Sequence, residues 1–231
     1  MRILLQFPEG LKQEALMHSA PLEAEGHEVL LSASSCYGAC DLCLDEASAV
    51  GADKIIHFGH AEFMPVKSKI QIEYVPYFAT VNWSEKEKML SRAISFLKEI
   101  KAKRVSLVFP VQHVKNSEHL KEYLEANGIH IEVGKGGDHT RFPGQVLGCD
   151  GTAANVPSAD AVLYFGGGKF HPTGIASGKP VLCADPHLTT HISSQMKLPN
   201  LKKGGKARFW LRQQKGKHSA FLYRQNAGNS I

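Results

Sequence analysis

The chain has 231 residues, of which 43% are hydrophobic and 21% charged, the composition of an ordinary globular protein with room for one large domain or two smaller ones. No apolar run approaches the ~20 residues needed to cross a bilayer, and the odd count of five cysteines argues against a disulfide framework. We therefore expect a cytoplasmic protein with reduced thiols and no membrane contact. The net charge of +5 comes largely from the C-terminal tail and indicates a solvated basic face rather than direct binding of nucleic acid.

Apolar runs and helical patterns alternate along the first hundred residues. The segment after the first strand has helical composition, although we expect Pro21 to kink or end that helix. Residues 84–101 form the clearest helix, because their apolar side chains fall on one face and Ser84 and Glu87 have the spacing of a capping box. The predicted strands of this half are residues 2–7, 27–33, 53–59 and 72–78.

A second series of the same kind follows. A helix is predicted over residues 117–128, and it ends on Gly128. Strands that alternate with helices form parallel βαβ units, so the predicted fold class is α/β with parallel sheets. The predicted strands of this half are residues 104–110, 129–134, 161–168 and 179–186.

The two series resemble each other as an internal repeat. ILLQFPEGLK lies over VSLVFPVQHVK, and VGADKIIHFGHAEFMPV lies over PSADAVLYFGGGKFHPTG. Each copy has a glycine turn, at Gly26 or Gly128, and then a loop with the dipeptide Cys-Asp, at 40–41 or 149–150. The offset between the copies grows from 102 residues at the glycine turns to 109 at the cysteines, so the second copy has the longer loop.

This repeat predicts two homologous parallel-sheet α/β domains, residues 1–100 and residues 101–195. Residues 196–231 form a basic tail. Its strand-like segment KGKHSAFLYRQNAGNS falls where a third copy would begin. The tail is therefore a candidate remnant of a third domain, of which the chain holds at most the start.

Three cysteines lie close together in the first copy, and the repeat singles out one of them. Cys36, Cys40 and Cys43 have the spacing C-x3-C-x2-C, with which many radical enzymes hold a 4Fe-4S cluster on one loop. Only Cys40 has a counterpart in the second copy, Cys149. Loops at the carboxyl ends of parallel strands collect ligands, and thiolates bind iron. Cys40 and Cys149 are therefore the predicted metal ligands, which converge on one cluster from the two copies.

A zinc site is the alternative interpretation of the first copy, although zinc sites usually have a second ligand pair further along the chain. Its candidate ligands are Cys36, Cys40, Cys43 and either His57 or His60. The remaining cysteine, Cys183, is typical of a buried small apolar residue within a strand. Cys36 and Cys43 could likewise be buried small apolar residues.

The equivalent loops HFGHAEF and FGGGKFHP contain candidates for contact with a cofactor or substrate. Consecutive glycines let the backbone approach a ligand, and their N–H groups bind anionic groups. The histidines of these loops could bind or donate to a substrate, and the segment before VLGCD could pack a polar ligand beside a cluster. The candidates are His60, Gln145, Gly166, Gly167, Gly168 and His171. No catalytic residue is assigned.

Four motifs, taken together and in order, resemble one protein family. They are LLQFPEGLK, YGACDLCLDEASAVGADKIIHFGHAEF, FPGQVLGCD and FGGGKFHPTGIA, within about the first 190 residues. The combination is similar to the 2-(3-amino-3-carboxypropyl)histidine synthases of diphthamide biosynthesis, of the archaeal type. By motif, the first cluster cysteine of that family corresponds to Cys40 and the second to Cys149, in agreement with the repeat.

The resemblance implies three homologous α/β domains around one 4Fe-4S cluster, with one cysteine from each domain, in a homodimer. It also implies an unconventional radical transferase. S-adenosylmethionine is cleaved at the Cγ–S bond of its methionine moiety, and the 3-amino-3-carboxypropyl radical adds to C2 of a histidine imidazole in translation elongation factor 2. The spacing C-x3-C-x2-C is then a coincidence.

A third domain with a third cysteine is missing from this sequence, and three explanations stay open. In the first, the gene is truncated or frameshifted. In the second, the chain is a two-domain paralogue that forms a heterodimer with a related subunit. In the third, Cys36 or Cys43 serves as the third ligand. The predicted function is the transferase; the alternative is a non-catalytic subunit or truncated paralogue that needs a partner chain. The basic tail is a candidate contact for the elongation factor.

Overall fold

The computed structural model describes residues 1–187, 192–195, 207–214 and 217–224. The chain separates into two compact units, of which unit 1 is Met1–Ala79 with Asp138–Arg141, and unit 2 is Thr80–Gly137 with Phe142–Ile231. The predicted domain limits at residues 100 and 195 stay predictions. Within the described part of the chain, no helix combines the length and the apolar character that a membrane crossing requires.

Unit 1 is built on a four-stranded sheet in the order β2-β1-β3-β4, in which every pair is parallel. A 3-10 helix over Glu9–Glu14 connects β1 to the first α-helix. The elements are β1 Arg2–Gln6, α1 Ala15–Ala24, β2 Glu28–Leu31, α2 Leu44–Ala49, β3 Lys54–Phe58 and β4 Gln71–Val75.

Both faces of the inner strands β1 and β3 are buried, as expected for parallel strands covered by helices. Leu5 and Ile56 belong to an apolar cluster that includes Ala15 of α1. Leu4 and Ile55, their neighbours along the same strands, belong to a second cluster that includes Ala47 of α2. Alternate residues of β1 and β3 therefore hold helices on opposite faces, which explains why these strands read as continuous apolar runs.

The helix α1 passes through Pro21, so the expectation that this residue ends the helix was wrong, whereas a kink at Pro21 stays a prediction. Pro21 lies near the C-terminal end of α1, and its carbonyl accepts the N–H of Glu25 at 3.1 Å. Proline lacks an N–H donor of its own, so it removes one helical hydrogen bond without preventing the last residues from completing the helix. Gly26, at φ 85°, then turns the chain toward β2.

Unit 2 contains a five-stranded sheet in the order β6-β5-β7-β8-β9. Strands β5 to β8 pair in parallel, and β9 is antiparallel to β8. Two further strands form a separate antiparallel hairpin, β10–β11. The elements are α3 Glu87–Glu99, β5 Arg104–Val108, α4 Ser117–Ala126, β6 His130–Glu132, β7 Ala161–Phe165, α5 Phe170–Thr173, β8 Val181–Ala184, β9 Ile192–Gln195, β10 Ala207–Gln214 and β11 Lys217–Arg224.

The two sheets confirm the predicted α/β class and the internal repeat. The order β2-β1-β3-β4 of unit 1 recurs as β6-β5-β7-β8 in unit 2. The registers also correspond, since Gln6 lies opposite His57 in one unit and Val108 lies opposite Tyr164 in the other. Part of the predicted tail forms the β10–β11 hairpin; residues 196–206, 215–216 and 225–231 lie outside the described residues, and a third-domain remnant stays a prediction.

The helix α3 begins three residues later than predicted, and the capping box was wrong. A 3-10 turn over Trp83–Glu85 precedes α3. Within it the Ser84 hydroxyl donates to Asn82 Oδ1 at 2.9 Å, and Asn82 Nδ2 donates to Glu85 Oε1 at 2.8 Å. Ser84 is therefore engaged in a local turn, which side chains of this kind often stabilise in place of a cap.

Replacing Leu107 with Ala should destabilise unit 2, because this fully buried side chain lies in the inner strand β5, between β6 and β7, and its loss leaves a cavity. We expect the free energy of unfolding to fall by about 2–5 kcal/mol. Urea denaturation followed by tryptophan fluorescence measures it, since both tryptophans belong to unit 2. The exposed control Glu122→Ala should change it by at most about 0.5 kcal/mol. Equal losses in the two variants would contradict the assigned core.

Candidate functional site

The candidate site of each unit lies where the strand order reverses. The strand β1 pairs with β2 on one side and with β3 on the other, and β5 pairs in the same way with β6 and β7. In open parallel sheets, the loops beyond the carboxyl ends of strands at such a point form a crevice that binds ligands. The loop that follows β2 carries Cys40, and the loop that follows β6 carries Cys149.

In unit 1, hydrogen bonds hold the backbone around Cys40 while its side chain stays exposed. The carboxylate of Asp41 accepts the N–H of Tyr37 at 3.0 Å. On the other side, the carbonyl of Ala39 accepts the hydroxyl of Tyr74 at 3.2 Å. The loop therefore presents the Cys40 thiol to solvent from an anchored backbone.

In unit 2, Cys149 is exposed in a loop that is anchored in a similar way. The side chain of Asp150 is buried, and its Oδ1 accepts the N–H of Thr152 at 3.0 Å. The ring of Phe170 packs so closely on Gly148 that a Cβ there would clash with it. In both Cys-Asp loops the aspartate holds the loop by accepting a backbone N–H, and the cysteine faces outward.

The other three cysteines are at least half-buried. Cys36 is 4% exposed, and Cys183 is buried within β8. Burial raises the pKa of the Cys36 thiol. Burial, and then the nearby carboxylate of Glu46, raise the pKa of Cys43 to about 11. Thiolates are the nucleophilic form, and reagents reach exposed sulfur atoms first, so these thiols are the less reactive ones toward reagents in solvent.

Exposure predicts which thiols react. With a thiol reagent such as Ellman's reagent at neutral pH, we expect two of the five cysteines of the native chain to be modified rapidly. Mass spectrometry of peptides should place these labels on Cys40 and Cys149. In 6 M urea all five should react, which serves as the control for reagent and protein concentration. Rapid labelling of Cys36 in the native chain would contradict the described loop.

The buried Cys36 is part of a compact polar cluster at the carboxyl end of β3, which we call the Cys-His-His cluster: Cys36, His57 and His60. Its three donor atoms all lie within 4.8 Å of one another. His57 Nε2 lies 2.9 Å from His60 Nδ1 and 4.0 Å from Cys36 Sγ. Sequence interpretation had grouped these residues only loosely, in a zinc site that also required Cys40 and Cys43.

The two imidazoles of this cluster are held neutral. Burial, reinforced by His60, lowers the pKa of His57 to about 3. Burial also lowers the pKa of His60, although a hydrogen bond with the Phe58 carbonyl partly offsets this effect. His57 Nδ1 lies 2.8 Å from Gln6 Oε1, at the position where β1 and β3 are paired. Neutral imidazoles with one ring nitrogen fixed by a neighbour are the form in which histidine binds metals.

The three predicted glycines of unit 2 lie directly after β7. The N–H of Gly166 donates to the Ala184 carbonyl at 3.0 Å, so it is engaged within the sheet. Gly168 has φ 75°, a conformation that favours glycine. The carboxylate of Asp185 lies beside Gly167. Of the three residues, Gly166 is thus the least suited to bind an anion, and binding by the others stays a prediction.

The two remaining predicted residues of unit 2 differ in burial. Gln145 is 2% exposed, and its Oε1 accepts the N–H of Phe142 at 3.1 Å, so its amide stabilises its own loop. His171 is partly exposed in α5, with its ring 6.5 Å from the ring of Tyr164. Contact of either residue with a cofactor stays a prediction.

One buried histidine near these glycines was missed by sequence interpretation. His113 is fully buried beside the ring of Phe165, and among the described residues its Nε2 has no hydrogen-bond partner. Burial and the neighbouring His187 lower its pKa to about 4, against a smaller opposing effect of Asp185. The signal was weak, because His113 lies in a 3-10 turn without a regular apolar period.

The neutral state of His113 predicts how unit 2 responds to acid. In the unfolded chain the imidazole titrates near its ordinary pKa of about 6.5, so below that pH the unfolded state binds a proton that the native state does not. The contribution of His113 to the free energy of unfolding should therefore be fully present above about pH 6.5. As the pH falls toward 4, this free energy should decrease by up to about 1.4 kcal/mol per pH unit.

Urea denaturation at pH 7 and pH 5, followed by tryptophan fluorescence, measures this effect. His113→Gln should show a smaller loss between these two pH values than the wild type. His130→Gln is the matched control, because His130 is exposed in the same unit. The assignment fails if both variants have the pH dependence of the wild type.

Comparison with known proteins places this pair of α/β repeats with cysteine-bearing loops in one family. The profile of the diphthamide synthesis protein family matches residues 7–204. The chain belongs to this family.

Two archaeal relatives carry the name 2-(3-amino-3-carboxypropyl)histidine synthase. The protein from Pyrococcus horikoshii is 37% identical over 188 residues, which are 80% of this chain and 53% of the relative. The protein from Methanocaldococcus jannaschii is 28% identical over 183 residues, which are 76% of this chain and 47% of the relative. Subunit 1 of the synthase from Caenorhabditis elegans is 29% identical and covers 80% of this chain and 47% of its own length.

Solved structures agree. Dph2 from Pyrococcus horikoshii superposes with a TM-score of 0.73 at 36% identity and covers 84% of this chain and 56% of the solved chain. A second structure of Dph2 from the same organism, with a 4Fe-4S cluster, gives a TM-score of 0.72 at 35% identity. The chain spans about half the length of the relatives it matches.

Proposed function

We propose that the chain carries out, as part of a synthase, the transfer of the 3-amino-3-carboxypropyl group of S-adenosylmethionine to a histidine of translation elongation factor 2. The observation that carries the proposal is the placement of Cys40 and Cys149. They are the two exposed cysteines of the five, and they occupy equivalent loops of two homologous units. Family membership and the solved relative with a 4Fe-4S cluster support it.

The residues present fit a 4Fe-4S cluster in part. Such clusters are held by cysteine thiolates, and two exposed thiols on anchored loops are suitable ligands. Cys36 and Cys43 point into the protein, where burial raises their pKa values. This inward placement favours a third ligand from a partner chain or a further domain over either of these two residues.

A bound cluster would supply one electron to S-adenosylmethionine, whose Cγ–S bond would break to release methylthioadenosine and the 3-amino-3-carboxypropyl radical. The radical would add to C2 of the imidazole, and the adduct would then lose one electron and the C2 proton. The task of this chain is to hold the cluster through Cys40 and Cys149 and to position the sulfonium substrate. For the latter we retain as candidates the residues named from the sequence, His60, Gln145, Gly166, Gly167, Gly168 and His171.

The proposed partners follow from the relatives. Because the eukaryotic relative is named a subunit, we propose assembly as a homodimer or as a heterodimer with a related chain. The protein substrate, the elongation factor, and the reduced thiols set the proposed reaction in the cytoplasm.

A second candidate is a family member that has no activity alone and requires a partner chain. The observation that favours it is that two of the five cysteines are exposed, whereas a 4Fe-4S cluster usually binds more thiolates than two. In this case the two cysteine loops would complete a site together with another polypeptide.

Both candidates are tested by reconstitution of the chain with iron and sulfide without oxygen. We expect about four iron and four acid-labile sulfide per chain. Cys40→Ala and Cys149→Ala should each lose most of the bound iron, because each removes an exposed ligand. Cys43→Ala is the matched control and should keep it, because Cys43 is half-buried in the same loop as Cys40.

Label transfer from S-adenosylmethionine to the elongation factor then separates the two candidates. With a chemical reductant, transfer by the reconstituted chain alone supports the enzyme. Transfer only after addition of a related subunit supports the second candidate. Iron bound by the wild type only together with that subunit also supports the second candidate. Iron that is bound by the wild type and retained equally by Cys40→Ala and Cys149→Ala would overturn the assigned ligands and both candidates.

A further inference from the structure

We propose that unit 1 contains a second metal site, a zinc site formed by the Cys-His-His cluster. Its ligand atoms are Cys36 Sγ, His57 Nε2 and His60 Nδ1, which lie within 4.8 Å of one another. Zinc bonds to nitrogen and sulfur place tetrahedral ligand atoms roughly 3.3–3.6 Å apart. The N–N distance of 2.9 Å and the S–N distance of 4.0 Å lie on either side of this range, and the cluster as a whole extends to no more than 4.8 Å, so side-chain shifts on the order of an ångström complete the geometry.

The donor atoms select the metal. One thiolate and two imidazoles suit zinc, whereas magnesium and calcium require oxygen ligands and iron–sulfur clusters require several thiolates. Three protein ligands leave a fourth position of the tetrahedron for water or another ligand. When the metal binds, the Cys36 thiol loses its proton to solvent and the thiolate enters the coordination sphere. His60 changes tautomer at the same time, because its Nδ1 proton, which is donated to His57 Nε2 in the metal-free protein, must move to Nε2 before Nδ1 can bind the metal.

The surrounding hydrogen bonds prepare His57 for this role. Gln6 Nε2 donates to the Asp41 carbonyl at 2.7 Å, so the other end of the amide, Oε1, must face His57. Oε1 is an acceptor, so His57 Nδ1, 2.8 Å away, carries the proton. The lone pair of Nε2 is thereby directed toward Cys36 and His60. Histidine ligands typically have their second nitrogen fixed in this way.

The second repeat provides an internal comparison, because it builds the same strand ends without these residues. In place of Gln6 opposite His57 it has Val108 opposite Tyr164. The Tyr164 hydroxyl donates to the carbonyl of Gly167, the residue that corresponds to His60 in the repeat. The fold therefore does not require the three donors, and their grouping in unit 1 calls for another explanation, which metal binding provides.

The site is separate from the cluster ligands, so it can be tested where no cluster binds. In the variant Cys40→Ser/Cys149→Ser, cobalt(II) serves as a spectroscopic probe for zinc. We expect one equivalent of cobalt to give the strong visible bands of a tetrahedral site with a thiolate-to-metal charge-transfer band in the near ultraviolet. One equivalent of zinc should abolish these bands. Weak bands of an octahedral complex would overturn the proposal, whatever the fate of the transferase hypothesis.

Single replacements in this background identify the ligands. Cys36→Ser should remove the charge-transfer band, and His60→Ala should weaken cobalt binding by at least about 10-fold. Gln6→Ala should weaken it by about 10- to 100-fold, because it frees the His57 ring to change tautomer. Cys43→Ser, in the same loop, is the matched control and should bind cobalt normally.

Circular dichroism establishes that each variant is folded. His60 is partly exposed, so its replacement tests the site even if Cys36→Ser does not fold. A charge-transfer band that survives Cys36→Ser, or cobalt affinity that is unchanged in His60→Ala, would contradict the assigned ligands.

Discussion

The parallel pairing of β1 with β3 is the constraint on which the first site depends. Because parallel strands end at the same edge of a sheet, Gln6 and His57 lie side by side, and the loop that follows β2 must pass over that edge before α2 begins. The amide of Gln6 then bonds the loop at Asp41 and β3 at His57. The Gln6 side chain thus fixes both the position of the loop and the orientation of the His57 imidazole.

Because of this path, the three thiols of the loop differ in burial and in direction. The backbone is anchored at Ala39 and Asp41, on both sides of Cys40, whose side chain therefore points outward. Cys36 turns inward beside His57, and Cys43 packs against the apolar cluster under α2. Spacing of the C-x3-C-x2-C type would suit a shared cluster, but the three thiols differ in burial: Cys40 is exposed, Cys43 is half-buried and Cys36 is buried. The direction of each thiol, rather than the number of residues between them, determines which metal chemistry it can serve.

The strands, their parallel pairing and the repeat could be predicted because they depend on local apolar runs and on similarity within the chain. The equivalence of Cys40 and Cys149 followed from the same similarity. The Cys-His-His cluster could not be predicted, because it depends on the bond of Gln6 to a loop 35 residues away. The ion pair of Glu62 with Arg141, 79 residues apart, was inaccessible for the same reason. The period of apolar residues predicts which face of a strand a side chain lies on. Contacts between residues far apart in the chain depend instead on the path of the loops, which the period does not give.

The two repeats place different side chains at the buried ends of the equivalent strands β3 and β7. A polar group removed from water is costly unless it is hydrogen-bonded. Unit 2 fills the position with Tyr164, whose ring is buried and whose hydroxyl reaches a backbone carbonyl, so the edge is closed without metal donors. Unit 1 instead buries His57, whose Nδ1 is hydrogen-bonded to Gln6 and whose Nε2 is hydrogen-bonded to His60 Nδ1 and lies 4.0 Å from Cys36 Sγ. The backbone tolerates both solutions, so the residues at the strand ends are free to carry chemistry that the fold itself does not demand.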